Sequence, residues 1–219
     1  MNTLSPQVIE NLKAGMRGPV ILPDDPSYDE DRRIWNAMID KHPAAIAQCS
    51  GVADVMHAVR LARDEGLLIS VRGGGHNIAG NALCDHGVVI DLSAISITKP
   101  RPSGSPRRSG INSTTGVAGL TLGGGFGWLT RKYGLTVDNL IEAELVTADG
   151  ECVRANAEDH PDLFWAIRGG GGNFGIVTQF VFALHAVGPT VLCGLVVYPF
   201  AQAKSVLERY RDYVATIPD

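Results

Sequence analysis

Cysteine is scarce in this chain, and long apolar runs are missing from it. Four cysteines among 219 residues, Cys49, Cys84, Cys152 and Cys193, stand far apart with no CxxC pair. That spacing offers no disulfide framework and predicts reduced, mostly buried thiols. No uninterrupted apolar stretch reaches the roughly 18–20 residues needed to span a bilayer, so no membrane partner is expected. Met1 to Gly18 carries charges and no apolar leader core, which predicts no signal peptide and a cytoplasmic location. An excess of one charge is missing too: 19 basic and 23 acidic residues leave a net charge of −4. That balance gives no electrostatic reason to expect nucleic acid or a membrane surface.

What the chain has in quantity is glycine, 26 residues of it, beside a 45 % hydrophobic content that can fill an interior. Many glycines fall in three clusters: Gly73-Gly74-Gly75, Gly123-Gly124-Gly125 with Gly127, and Gly169 to Gly172 with Gly175. Such stretches cost backbone entropy and pack no side chains. Their return is the close approach of main-chain N–H groups to something bulky and anionic.

Residues 5–15 read as a short helix. Val52, Val55, Met56, Val59 and Ala62 recur at helical spacing between Ser50, placed as the N-cap, and Gly66, placed as the C-terminal glycine. Leu67 to Val71 then reads as a buried strand running into the first glycine cluster, and Val88 to Ile90 as a second strand ending at Asp91. Trp128 to Tyr133 suits a helical turn or two closed by Gly134. Ile141 to Thr147 and Glu151 to Ala155 flank Ala148-Asp149-Gly150, a hairpin signal. Pro161 suits the first turn of a helix to about Arg168. Ile176 to Leu184 and Val191 to Tyr198 read as strands, and Ala201 to Ala215 as a helix with Val206, Tyr210, Tyr213 and Val214 on one face. Helices and strands mix without a steady βαβ rhythm, which favours an α+β fold over a doubly wound sheet. The stretch 99–109 has three prolines, four basic residues and no apolar side chain. It reads as a linker, with a basic recognition tail as the alternative.

The segment Arg72-Gly73-Gly74-Gly75-His76-Asn77-Ile78-Ala79-Gly80 can curl its N–H groups towards one point, as an anion-binding nest. It lacks the lysine of a Walker loop, and Gly73, Gly75 and Gly80 miss the G-x-G-x-x-G spacing. His76 then has three readings: a loop histidine bonded to the backbone, a metal ligand with Cys84, Asp85 and His86, or a nucleophile towards a cofactor held by the glycines. No recognisable zinc spacing supports the metal. Three glycine-lined walls suit an extended dinucleotide better than a mononucleotide.

Arg72 to Gly80 resembles the histidyl-flavin attachment loop of the PCMH-type FAD-linked oxidases, in the berberine-bridge-enzyme-like branch. Thr114 through Leu140 is similar to the same branch, with Gly123-Gly124-Gly125, Trp128 to Leu135 and Asp138-Asn139. So are Val146-Thr147-Ala148-Asp149-Gly150 and the stretch from Asp162 to Thr178. The resemblance implies an α+β fold, a two-lobed PCMH-type FAD-binding domain with the cofactor between the lobes. By the family pattern Arg72, Gly73, Gly74, Gly75, His76, Asn77 and Gly80 hold the pyrophosphate region. Gly116, Gly119, Gly124, Gly125, Gly127, Asp138 and Asn139 contact the flavin and its linker. Asn173, Phe174, Gly175, Ile176 and Val177 close the other side. His76 matches the residue bonded to the flavin 8α-methyl carbon, so covalent FAD is implied, with the redox chemistry supplied by the cofactor.

Three departures qualify the resemblance. The position of a second, cysteinyl attachment falls at Asn112, so a single link through His76 is expected. The 99–109 stretch replaces a longer structured segment. The family's substrate domain is expected to be largely absent, leaving residues 1–39 as an N-terminal segment, 40–186 as the FAD-binding domain and 187–219 as the start of a truncated substrate domain. No catalytic base is therefore named. Two functions stay open: an FAD-dependent oxidoreductase acting on an alcohol- or sugar-like small-molecule substrate, and a truncated, non-catalytic flavin-binding module or inactive gene remnant.

Overall fold

A computed structural model of the chain describes residues 4–95, 111–112, 114–187 and 194–217. The expected linker at 99–109 and Cys193 lie outside them. Helix α1 (Pro6–Gly15) begins at Ser5, whose hydroxyl accepts the Val8 N–H at 3.3 Å while Pro6 takes the first turn, where its missing N–H costs nothing. Strand β1 (Val20–Ile21), helix α2 (Tyr28–Asp31) and strand β2 (Ala45–Gln48) follow. Helix α3 (Val52–Asp64) packs against α1.

The start of α3 differs from expectation. Its N-cap is Gly51, and Ser50 lies one residue outside. Asp54 holds this end together: its carboxylate accepts N–H groups from Arg17 (3.0 Å), Gly18 (3.1 Å) and Ser50 (2.8 Å), and the Ser50 hydroxyl (2.9 Å). The other end closes as expected. Gly66 at φ +63° lets its own N–H reach Arg63 O and the Leu67 N–H reach Ala62 O at 2.7 Å, the paired bonds of a Schellman stop. Leu67 is thereby spent on the helix, so strand β3 (Ile69–Arg72) starts two residues later than the sequence suggests.

Strand β4 (Val88–Asp91) lies between β2 and β3, parallel to both, and β1 pairs antiparallel to β2, giving the order β1-β2-β4-β3. Both faces of this sheet are covered. Ala45, Ala47, Val88 and Ile90 enter one apolar cluster, whereas Ile46 and Val89 enter another with Tyr28, Leu83 and Cys84. A strand buried on both faces shows no polar alternation.

The second half of the chain builds a separate antiparallel sheet. Helix α4 (Val117–Leu122) and helix α5 (Thr130–Tyr133) precede it. Strands β5 (Leu140–Val146) and β6 (Cys152–Asn156) form the expected hairpin, with Gly150 at φ +74° in the turn. Helix α6 (Pro161–Ile167) leads to strand β7 (Ile176–Phe182), which completes the order β6-β5-β7. The two sheets share one interior: Val55, Ala58 and Val59 of α3 and Ile90 of β4 join Leu122, Ala143, Leu145, Phe164, Ile167 and Phe180 in a single cluster. The fold is α+β.

The strand expected over 191–198 does not appear in its described part, since residues 194–199 are irregular. Leu195, Val196 and Val197 are largely exposed and pair with no strand among the described residues. Helix α7 (Ala203–Val214) is present and buries no residue fully; Tyr210 and Tyr213 are exposed on the face expected to pack. Its end is tied back by Arg131, whose guanidinium donates to Ile217 O at 2.8 Å.

Candidate functional site

Glycine clusters far apart in sequence are tied to opposite ends of one short helix, α4. The first follows β3. Gly74 and Gly116 touch backbone to backbone, so a Cβ on Gly74 would stand 2.4 Å from the Gly116 nitrogen. The third cluster joins at the far end of α4, where the Gly171 N–H donates to Leu122 O at 3.2 Å. Helix α4, which the sequence reading did not anticipate, is therefore the strut between them.

The first wall is rich in free donors. None of the backbone N–H groups from Gly73 to Asn77 meets a hydrogen-bond acceptor among the described residues. A Cβ placed on Gly73, Gly119, Gly169, Gly171 or Gly172 would meet nothing within 4 Å, so open space faces each of them. Unpartnered amides beside unobstructed backbone suit an anionic, flat and extended ligand.

The loop is held from outside by residues the sequence reading passed over. The Trp35 N–H donates to Gly75 O (3.0 Å), Asn36 Nδ2 to Ile78 O (2.8 Å), and Lys41 Nζ to Gly80 O and Leu83 O (3.0 Å each). The Trp35 ring stacks on the His76 imidazole at 4.9 Å and 13°. On its edge, His76 Nε2 lies 2.9 Å from Thr114 Oγ1, and Thr114 in turn donates its hydroxyl and its N–H to Asn112 Oδ1, at 2.9 and 3.0 Å. Thr114 thus links Asn112 to His76. Trp35 sits in the run Ile34-Trp35-Asn36-Ala37-Met38-Ile39, which carries no motif that would have singled it out.

Several other expected site residues carry structural duties in this chain. Arg72 is buried: its guanidinium donates to Asp91 Oδ2 at 2.6 Å and to the Asp31 carbonyl. Asp138 accepts the Leu135 N–H at 2.8 Å. Asn139 donates to Tyr133 O and Leu135 O at 2.8 and 2.9 Å and accepts from His185 at 2.5 Å. Together the two residues knot the turn below Gly124 and Gly125, whose carbonyls accept from Val137 and Thr136. The Gly127 N–H donates to Thr130 Oγ1 at 2.8 Å. Asn77 Oδ1 accepts the Asn81 N–H at 2.9 Å, and Asn173 donates to Gly170 O at 2.9 Å. Phe174 lies against Gly170, and Gly175 at φ +145° enters β7 beside the Val146 carbonyl. Ile176 and Val177 turn their side chains into the core, leaving their main chain for any ligand.

The thiols stand apart from this region. Cys49 is buried, and that burial, with Asp54 and Asp91 nearby, pushes its pKa up to about 12. Cys84 is buried and free, and Cys152 is exposed, so two of the three thiols described are buried. Among the described residues no three His, Cys, Asp or Glu side chains gather to hold a metal ion, and no helix is long and apolar enough to cross a membrane.

Comparison with known proteins agrees with this geometry. A family model described as an FAD binding domain matches residues 43–99 and 106–156, breaking inside the Pro/Arg/Ser stretch. The chain is 38 % identical over 205 residues to (R)-6-hydroxynicotine oxidase of Paenarthrobacter nicotinovorans, covering 84 % of this chain and 45 % of the relative. The structure of BBE-like 1 from Physcomitrella patens superposes with a TM-score of 0.75 at 32 % identity, over 82 % of this chain and 44 % of the other. Glucooligosaccharide oxidase from Acremonium strictum, described with 6-S-cysteinyl, 8α-N1-histidyl FAD, gives a TM-score of 0.73 at 30 % identity, over 82 % and 42 %. The chain belongs to the PCMH-type FAD-linked oxidoreductase family and carries its FAD binding domain. It spans about half the length of the curated relatives it matches.

Proposed function

We propose that this chain holds FAD covalently through His76 alone, as the flavin-binding part of an oxidoreductase acting on a small alcohol- or sugar-like substrate. The observation that carries the reading is the position of His76. It lies within a run of unpartnered amides, is stacked on Trp35, and is linked through Thr114 to Asn112. When bound, FAD supplies the hydride acceptor.

The residues of the chain do the rest. The amides of Gly73, Gly74, Gly75, His76 and Asn77 satisfy pyrophosphate oxygens, with Gly80 shaping the loop and Arg72 and Asp91 fixing its root. Gly116, Gly119, Gly124, Gly125 and Gly127 let the flavin approach main chain, and Asp138 and Asn139 keep that turn in place. Asn173, Phe174, Gly175, Ile176 and Val177 close the opposite side. His76 provides the nucleophilic nitrogen. Asn112 offers no thiol, so a second link has no donor there. In this reading residues 40–186 form the flavin domain, 1–39 a leading segment that straps it, and 187–219 the beginning of a further region. The buried free thiols Cys49 and Cys84 suit the reducing cytoplasm.

The test is to supply FAD to the purified chain, denature it in acid, and measure the flavin fluorescence that stays with the polypeptide. Native protein retains it; His76→Ala loses the acid-stable fraction and keeps reversibly bound FAD. A native chain without flavin absorbance in excess FAD overturns the reading. Covalent flavin that no alcohol or sugar bleaches would leave a binding module without turnover.

A further inference from the structure

The hydrogen-bond chain at the edge of His76 contains its own proton inventory. Asn112 accepts two bonds at one atom, from the Thr114 N–H (3.0 Å) and the Thr114 hydroxyl (2.9 Å). A main-chain N–H can only donate, so that atom is the amide oxygen and not the nitrogen. The single hydroxyl proton of Thr114 is therefore spent on Asn112. Towards His76, 2.9 Å away, Thr114 Oγ1 has lone pairs only. The proton in that bond must sit on Nε2, and a neutral imidazole protonated at Nε2 carries its lone pair on Nδ1. Nδ1 has no hydrogen-bond partner among the described residues. Stacking on Trp35 holds the plane of the ring, and the bond to Thr114 distinguishes its edges.

We propose that Asn112 and Thr114 are positioning residues that hold His76 as the Nε2–H tautomer and so set Nδ1 as its nucleophilic atom. The proposal rests on reading His76 as the flavin attachment residue. His76 Nδ1 would form a bond to the 8α carbon as one C–H bond there breaks. In net terms one imidazole N–H and one methyl C–H give way to one N–C bond. Both hydrogens, with the electron pair of the broken bond, leave on dioxygen as hydrogen peroxide. Thr114 Oγ1 keeps the Nε2–H in a hydrogen bond until the alkylated ring sheds that proton to water, on its way to the peroxide. In this chain Asn112, at the position where a cysteinyl link would fall, takes up the task of aiming the histidine.

Two readouts separate this role from a merely structural one. The first is the long-range 1H–15N NMR spectrum of the apo chain labelled at histidine, recorded at about pH 8, where imidazole is neutral. His76 should show a protonated Nε2 and a bare Nδ1. Thr114→Val should give a mixture, Thr114→Ser should restore the native pattern, and Asn112→Ala should move the proton towards Nδ1 by freeing the Thr114 hydroxyl to donate. The second readout is the rate at which added FAD becomes acid-stable. It should fall about tenfold in Thr114→Val, the scale on which partners that orient a functional histidine matter, and recover in Thr114→Ser. An unchanged tautomer in Thr114→Val and Asn112→Ala, or an unchanged attachment rate in Thr114→Val, overturns the proposal. If native protein never attaches FAD, the role of His76 is lost while the tautomer spectrum still decides what Thr114 and Asn112 do.

Discussion

Gly74 and Gly116 stand closer than any side chain would allow: a Cβ on either would lie within 2.5 Å of the other's amide nitrogen. Neither needs an unusual backbone angle, because positive φ in this loop falls on Gly75 and Gly80 instead. The requirement at 74 and 116 is purely one of space. Alanine at either position has to push two main chains apart, and overpacking of this kind costs about 1–3 kcal/mol. Gly74→Ala and Gly116→Ala should each lower the urea midpoint and weaken FAD binding by separating the first two glycine walls. Gly73→Ala, facing open space, should leave the midpoint unchanged and affect FAD alone. Equal midpoints for Gly74→Ala and Gly73→Ala would contradict the contact.

Arg72 and Asp91 make the most deeply buried ion pair described, 2.6 Å apart with Asp91 fully covered. Asp91 also accepts from the Ser93 N–H and hydroxyl at 3.0 Å. Removing one partner strands the other charge, which typically costs about 3–5 kcal/mol. Arg72→Met should therefore destabilise strongly, whereas Arg72→Met with Asp91→Leu should recover much of the loss. Chemical denaturation of the single and double variants measures the coupling. Additive effects would show that the pair acts as two independent groups.

Asp54 links stability to pH. Burial alone would raise its pKa, but the N–H groups of Arg17, Ser50 and Gly18 and the Ser50 hydroxyl outweigh it and hold the carboxyl below its ordinary 3.8. A carboxylate with a depressed folded-state pKa stabilises fully above its unfolded value and loses that contribution as pH falls through the folded one. Asp54→Asn should cost about 1.5–3 kcal/mol near neutrality, the range for hydrogen bonds to a charged group. The gap to native should close as pH drops below about 4. Denaturation midpoints at neutral and acid pH test this; a gap that stays constant with pH removes the charge from the account.

Much of the fold was legible because local chemistry and tertiary packing agreed. Ser5 and Pro6 announce α1, Gly66 ends α3, and Gly150 turns β5 into β6. Helix α4 was hidden by Gly116, Gly119 and Gly123, which read as wall and conceal six helical residues. Strand β2 was hidden because Ala44 to Ala47 has no alternation and a single β-branched residue. Residues 191–198 look like a strand by composition, yet a strand is defined by what pairs with it, and nothing described pairs with 194–199.

The site divides in the same way. The glycine clusters and His76 stand out in the sequence as candidates. What positions them is invisible in one dimension: Thr114 reaches His76 across 38 residues, and Trp35 reaches it from a segment with no motif of its own. Asp138 and Asn139 match a family pattern, but only coordinates reveal that their side chains are committed to the 133–139 turn.

The interior common to both sheets has a mechanical consequence. Val55 and Ile90 from one side and Leu145 and Phe180 from the other are sealed in the same oil drop, so the halves cannot swing apart like a clam without wetting it. Any ligand of the glycine-lined main chain has to be taken up without parting the two sheets, beside a loop strapped down by Trp35, Asn36 and Lys41.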